Sequence, residues 1–146
     1  MGSVIAEVLE TKGREVHTTR PGTRLADAVA ALDQHGVGAL VVVGQARDVV
    51  GVLSERDVVR RLAAEGPAVL DRPVEDVMTA PVTTCAPEAT IEELMVVMTQ
   101  RRIRHLPVVV DGELVGIVSI GDVVKRRLDE LRATADHLAD YVAGSY

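Results

Sequence analysis

The chain has no Phe and no Trp, and its two tyrosines, Tyr141 and Tyr146, both stand at the C-terminal end. Any core must therefore be built from Val, Leu, Ile, Ala and Met. The same lack removes the aromatic platforms on which single-stranded bases stack. Cys85 is the one cysteine, so no internal disulfide can form, which fits a reducing compartment. Positive charge is also in deficit. The formal net charge of -6 opposes a broad attraction to nucleic acid or to an anionic membrane, while leaving room for a small basic pocket. No apolar run is long enough to cross a bilayer. The opening MGSVIAEVLE lacks the basic stretch and apolar run of a secretory signal. These absences lead us to expect a soluble, cytoplasmic protein with neither a membrane nor nucleic acid as partner.

What is present is a core-forming chain, 47% hydrophobic and 26% charged, written twice. GVLSERDVV (Gly51 to Val59) returns as GIVSIGDVV (Gly116 to Val124). Upstream, the stretch from Val16 to Val43 aligns with that from Val82 to Val109 at a constant offset of 66. Val16 matches Val82, Pro21 matches Pro87 and Leu40 matches Leu106. Each copy is too small to bury both faces of its sheet alone, so the two should pack as one body.

Within each copy a short strand carries Val16 or Val82, and a proline turn follows. Leu25, Ala28, Val29 and Leu32, and in the second copy Ile91, Leu94, Met95 and Met98, then fall at helical spacing. Thr23 is the candidate cap of the first of these helices, and Thr90 with Glu93 forms a capping box on the second. Two strands follow, joined in the second copy by the hairpin signal Asp111-Gly112. A second helix begins after Ser54 or Ser119. The expected fold class is α/β in the mixed α+β sense. It has two pseudo-twofold-related repeats of strand-helix-strand-strand-helix, small mixed sheets packed with helices, and helices flanking both ends. The expected boundaries are 1–66 for the first repeat with an N-terminal helix, 67–73 for a linker, 74–130 for the second repeat and 131–146 for a C-terminal helix and tail.

With VMTAPVTT, RRIRHLPVV and two Ser-x-x-Asp phrases at strand-to-helix joints, the chain resembles a tandem pair of CBS domains, the cystathionine β-synthase type or Bateman module. The resemblance spans roughly Ser3 to Leu131. It implies two clefts that take adenosine-containing ligands such as AMP, ADP, ATP, NAD or S-adenosylmethionine. It also implies a regulatory role and a flat homodimer.

The phrase Ser54-x-x-Asp57, like Ser119-x-x-Asp122, reads in two ways. Ser can cap the helix while Asp reaches back to the cap N–H. Alternatively Asp faces the cleft and accepts from the two cis hydroxyls of a ribose, next to a helix N-terminus that favours phosphate. The resemblance favours ribose binding. Where the first copy has Arg56, the second has Gly121; where the second has Arg104 and His105, the first has Gly38 and Ala39. This complementarity leads to a crossed expectation: the Asp57 cleft meets Arg104 and His105, and the Asp122 cleft meets Arg56. Arg56 and Arg104 read equally as solvated surface charge. Val16, Val37, Leu40, Val82, Ile103 and Leu106, with Pro107 beside the last, are core residues by default. By resemblance they supply an aliphatic sandwich for an adenine ring, with Thr79 and Pro81 shaping one slot.

His17, His35, His105 and His137 lack paired metal spacing, so no metal site is expected. Cys85 reads as a packing residue rather than a nucleophile. Neither a Ser-His-Asp grouping nor a phosphate-binding Gly-rich loop occurs, so no catalysis is expected. Three readings stay open: an adenine-nucleotide sensor acting on an unidentified effector protein, a dimerisation adaptor with vestigial clefts, and an S-adenosylmethionine binder.

Overall fold

The computed structural model describes residues 2–144. The element order is α1 (Ile5–Lys12), β1 (Thr18–Thr19), α2 (Leu25–His35), β2 (Ala39–Val43), β3 (Val49–Ser54), α3 (Glu55–Glu65), two 3-10 turns (Pro67–Asp71 and Val74–Asp76), α4 (Ile91–Arg101), β4 (His105–Val110), β5 (Glu113–Ser119) and α5 (Ile120–Ala143). In the first sheet β1 runs parallel to β2, and β2 pairs antiparallel with β3. In the second, β4 and β5 form an antiparallel hairpin turned at Asp111 and Gly112, both with positive φ. The mixed α+β class and the duplicated architecture are as the repeat predicts.

The first strand of each repeat is shorter than expected. Val16 lies ahead of β1, and Val82 lies in irregular chain. In the second repeat only Cys85 bridges, parallel to Val108, which is the place that Thr19 holds beside Val42 in the first. Thr23 does not cap α2; the N-cap is Arg24, without a side-chain cap bond. Thr90 and Glu93 do form the capping box on α4.

The chain order of the segments is not their packing order. Ile5, Val8 and Leu9 of α1 are buried with Ile91, Leu94, Met98, Leu106, Val108, Val118 and Val123, in the core of the second repeat. Val69, Val74 and Val77, between the repeats, are buried in the core of the first. The segment ahead of each repeat thus packs on the other one. The backbone repeats this exchange bond for bond. Ile5 N donates to Ala89 O at 2.8 Å, as Val74 N does to Thr23 O at 2.8 Å. Ala6 N donates to Pro87 O at 2.9 Å, and Glu75 N to Pro21 O at 2.9 Å. In the reverse sense Ile91 N reaches Ser3 O at 3.1 Å, and Leu25 N reaches Arg72 O at 2.8 Å. By packing, the N-terminal helix belongs with the second repeat, and the linker is part of the first core.

This exchange explains the glycine in both copies of the repeated phrase. A Cβ on Gly116 would lie 2.8 Å from Leu9 Cδ2, and one on Gly51 would clash with Met78 Sδ. Each exchanged segment lays an apolar side chain directly over the strand glycine of the repeat it enters. α5 is one continuous helix of 24 residues, not a repeat helix followed by a separate tail. Arg126 ties it to α1 through Glu7 at 2.7 Å, and Arg127 ties it to α4 through Glu92 at 3.1 Å. These arginines are partnered because α1 and α4 flank the first turns of α5.

The exchange yields a coupling test. Gly116→Ala should destabilise the protein by about 1–3 kcal/mol through overpacking against Leu9. Leu9→Ala alone should cost about 2–5 kcal/mol. In chemical denaturation the double variant should be clearly more stable than the sum of the two losses allows; strict additivity would mean that Leu9 does not rest on Gly116.

Candidate functional site

Both Ser-x-x-Asp phrases sit where a sheet strand hands over to a helix. Ser54 Oγ accepts from Asp57 N at 3.2 Å, and Asp57 Oδ2 accepts from Ser54 N at 2.9 Å. Ser119 and Asp122 repeat the box at 3.2 and 2.8 Å. The capping reading is therefore realised twice, and it does not exclude a second role because a carboxylate has two oxygens. Asp57 Oδ1 accepts from Thr79 Oγ1 at 3.0 Å. Thr79 comes from the exchanged segment, whose backbone pairs reciprocally with Val52 at 3.1 and 2.9 Å. The cap thus holds one edge of Asp57 while the other edge faces a cleft.

That cleft has a volume of about 340 Å³ and lies between the two repeats. Gly38, Ser54, Arg56 and Asp57 line it from the first repeat. Thr79, Pro81, Val82, Ile103, Arg104 and His105 line it from the exchanged segment and the second repeat. Ten of the residues singled out in the sequence therefore meet in one place. Ala39, Leu40 and Leu106 do not; they are buried in the sheets, as is Pro107 on β4. Val37 packs half-buried against the first core. Val16 lies in a separate depression beside Arg14 and the turn of the β4–β5 hairpin.

The crossed expectation holds for one half only. Arg104 and His105 do lie in the Asp57 cleft, but so does Arg56. The reason is local: Arg56 and Asp57 are neighbours in the first turn of α3, and that turn opens into the cleft. Asp122, with Ser119 and Gly121 beside it, meets a different cation. Lys12, the last residue of α1, donates to Asp122 Oδ2 at 2.6 Å and to Ile117 O at 2.8 Å.

Sequence reasoning missed Arg60, Arg101, Arg102, Thr83 and Glu55, all of which line the cleft. The signal was present. Arg60 follows Asp57 by three residues, which on a helix is the same face. Arg101 and Arg102 stand in the same run RRIRH as Arg104 and His105. Arg101 Nη1 donates to Thr83 Oγ1 at 3.0 Å. Arg102 caps α4 with φ 55°, the left-handed conformation that Gly36 takes at the matching end of α2 with φ 62°. For a residue with a Cβ this conformation costs about 1 kcal/mol, and such strain gathers at functional sites. Five arginines thus face two carboxylates, Asp57 and Glu55, in one cleft of an acidic chain.

The CBS domain family model matches residues 6–64 and 74–129. The chain belongs to the CBS domain family. It is 36% identical over 152 residues to the mitochondrial CBS domain-containing protein CBSX3 of Arabidopsis thaliana, covering 99% of this chain and 74% of that protein. Among solved structures it is similar to the CBS-domain protein ATU1752 of Agrobacterium tumefaciens, with 41% identity, a TM-score of 0.83, and coverage of 87% of this chain and 95% of the other. The CBS domain pair of protein MJ0100, solved in complex with 5′-methylthioadenosine and S-adenosyl-L-methionine, shares the fold at 22% identity and a TM-score of 0.76, over 86% of this chain and 95% of that one.

In this CBS pair His105 lines the Asp57 cleft and also feels the charges of Lys12 and Asp122. A Cβ on Gly38 would be 3.4 Å from its Nε2, so the imidazole lies over the glycine of the opposite repeat. Burial lowers the His105 pKa, and the charges of Lys12 and Arg104 lower it further, against Asp122 and Glu55. At Asp122 burial raises the carboxyl, but hydrogen bonds from Lys12 and Ser119 outweigh it and hold it below the usual carboxylate range. Burial pushes the Cys85 thiol up to about 11, as suits a packing residue. His17 and His35 stack with centroids 3.8 Å apart. Among the described residues no three His, Cys, Asp or Glu side chains gather into a metal-holding group, and no helix is long and apolar enough to cross a membrane.

The lowered His105 pKa sets a pH window. The unfolded chain takes up this proton at its ordinary value near 6.5, before the folded chain does. The neutral imidazole's stability is therefore complete above that value and declines as the pH falls through the lower, folded pKa. Denaturation at pH 7.5 and 5.5 should show the loss in the wild type and a smaller loss in His105→Gln. Equal losses would place the linkage on other groups.

Proposed function

We propose that the chain is a regulatory module that binds an adenosine nucleotide in the Asp57 cleft, and that the cleft selects ligands with a polyphosphate tail, as in ADP, ATP or NAD. The observation that carries this reading is the opposition, in one cleft, of a cap-oriented aspartate and five arginines. Asp57 offers its free edge to the ribose diol, with Thr79 as the exchangeable partner that holds it meanwhile. Val82, Ile103 and Pro81 supply aliphatic faces for a base in a chain that has no Phe or Trp to supply rings. Guanidinium groups bind phosphate bidentately, and several of them around one small volume suit two or three phosphates better than one. S-adenosylmethionine brings a sulfonium and an ammonium into the same field, with only one carboxylate to offset them, so the cleft's charge favours the nucleotide. CBSX3 and ATU1752 are likewise CBS-domain proteins, and the MJ0100 pair holds adenosyl ligands. No catalytic step is assigned. The output would be a change in how the halves or the dimer sit, read by an effector protein.

ATP at a hundred times its dissociation constant should stabilise the fold by about 2.7 kcal/mol, a rise of several degrees in the melting temperature. Arg104→Ala and Arg56→Ala should each weaken ATP roughly tenfold to a hundredfold, with AMP affected less. Arg102→Gly should weaken ATP while raising the stability of the unliganded protein by about 1 kcal/mol. Calorimetry that finds AMP or S-adenosylmethionine bound as tightly as ATP would refute the polyphosphate reading.

The module is further proposed to work as a homodimer. Every described residue of α5 from Leu131 onward is exposed, with Leu131 at 51%, Leu138 at 58% and Val142 at 84%. This apolar face does not pack on its own module. A second copy would cover it, continuing from exposed Val124 on α5 and Val59 on α3. Light scattering at micromolar concentration should give twice the chain mass, and Leu131→Glu with Leu138→Glu should give the single mass. A wild-type monomer would sink the dimer.

A further inference from the structure

The two strand-to-helix joints are written as copies of one another, and the surroundings of their aspartates no longer match. Five arginines and one histidine line the Asp57 cleft: Arg56, Arg60, Arg101, Arg102, Arg104 and His105. Their repeat counterparts are Gly121, Lys125, His35, Gly36, Gly38 and Ala39. The second half therefore keeps the ribose aspartate and loses most of the phosphate side. The exchanged segments differ as well. In the first cleft the segment runs on past Met78 as extended chain, so Thr79 pairs with Val52 and leaves room beside Asp57. In the second, α1 continues as helix beyond Leu9 and delivers Lys12 to the matching place. There the ammonium occupies Asp122 Oδ2 at 2.6 Å and the Ile117 carbonyl at 2.8 Å. Ile117 is the counterpart of Val52, so Lys12 satisfies the strand edge and the ribose-type carboxylate together.

We infer that Lys12 is a built-in occupant of the second cleft, and that it makes this duplicated module a one-ligand device per chain. Resting on the nucleotide reading of the Asp57 cleft, the inference adds which of the two clefts is used and which residue decides it. A ribose diol could reach Asp122 only after displacing an ammonium that already makes two charge-assisted or carbonyl hydrogen bonds. Leu9 clamps α1 over Gly116, so the lysine is delivered by a packed helix and not by a loose tail.

Equilibrium binding of ATP and AMP to four proteins tests this: the wild type, Asp57→Ala, Lys12→Met, and the double variant, each first shown folded by its melting curve. The wild type should bind one nucleotide per chain, and Asp57→Ala should weaken that binding by at least about tenfold. Lys12→Met should add a second site per chain for AMP, and Asp57→Ala with Lys12→Met should retain that second site alone. Two sites in the wild type, or full binding in Asp57→Ala, would overturn the inference while leaving the module a nucleotide binder. A single site in Lys12→Met would equally overturn it, because the cleft would then be shut by something other than the lysine. No binding by any of the four would defeat the nucleotide reading and the inference together.

Discussion

The structure depends on the exchange of the segments that precede the two repeats. Neither sheet has enough apolar surface of its own to form a closed core. The first recruits Val69, Val74 and Val77 from the chain that leads into the second; the second recruits Ile5, Val8 and Leu9 from the chain that leads into the first. The exchange makes each half require the other. It also places Thr79 and Lys12, one from each exchanged segment, at the mouths of the two clefts.

From that constraint the asymmetry follows. The same backbone bonds anchor both segments, but one leaves its anchor as extended chain and the other as helix. An extended segment can add a strand-like pair to the sheet edge and leave an open space beside the capped aspartate. A helix cannot pair with the edge, so a side chain must satisfy it, and a lysine does so while neutralising the aspartate. The electrostatics divide along the same line: five of the fourteen arginines of an acidic chain line the open cleft, and the Lys12–Asp122 ion pair stands at the matching joint of the other repeat.

The capped aspartates show how one residue can carry two roles. Oδ2 of Asp57 closes the helix start and so fixes the side-chain rotamer; Oδ1 is left at the cleft with the Thr79 hydroxyl as its partner. The capped half of the carboxylate orients the other half, which is the preorganisation that the proposed ribose contact calls for. Arg102 is the converse case, a side chain kept at a backbone position that glycine would fill with less strain.

Much of this was legible in the amino-acid sequence. The duplication, the helical faces of α2 and α4, the capping boxes and the Asp-Gly hairpin follow from spacing and local chemistry, because caps, turns and amphipathic periodicity act over a few residues; of the cleft, Ser54, Arg56, Asp57, Arg104 and His105 stand out from the comparison of the two copies, whereas Thr79, Pro81, Val82 and Ile103 rest on the family resemblance. The placement of α1 and the linker was not legible, since an apolar helix face does not say which apolar surface it will cover. Nor was the partner of Asp122: Lys12 lies 110 residues away, and nothing local to either residue announces the pair. Arg56 was assigned to the wrong cleft for the same reason, as the direction in which a helix start opens depends on the packing of the whole repeat. The sequence by itself determined two like units, each with a capped aspartate at a strand-to-helix joint. Only the tertiary structure decided that one of them would open onto five arginines and the other onto a lysine, because that choice depends on which distant segment reaches each sheet edge and in what conformation it arrives.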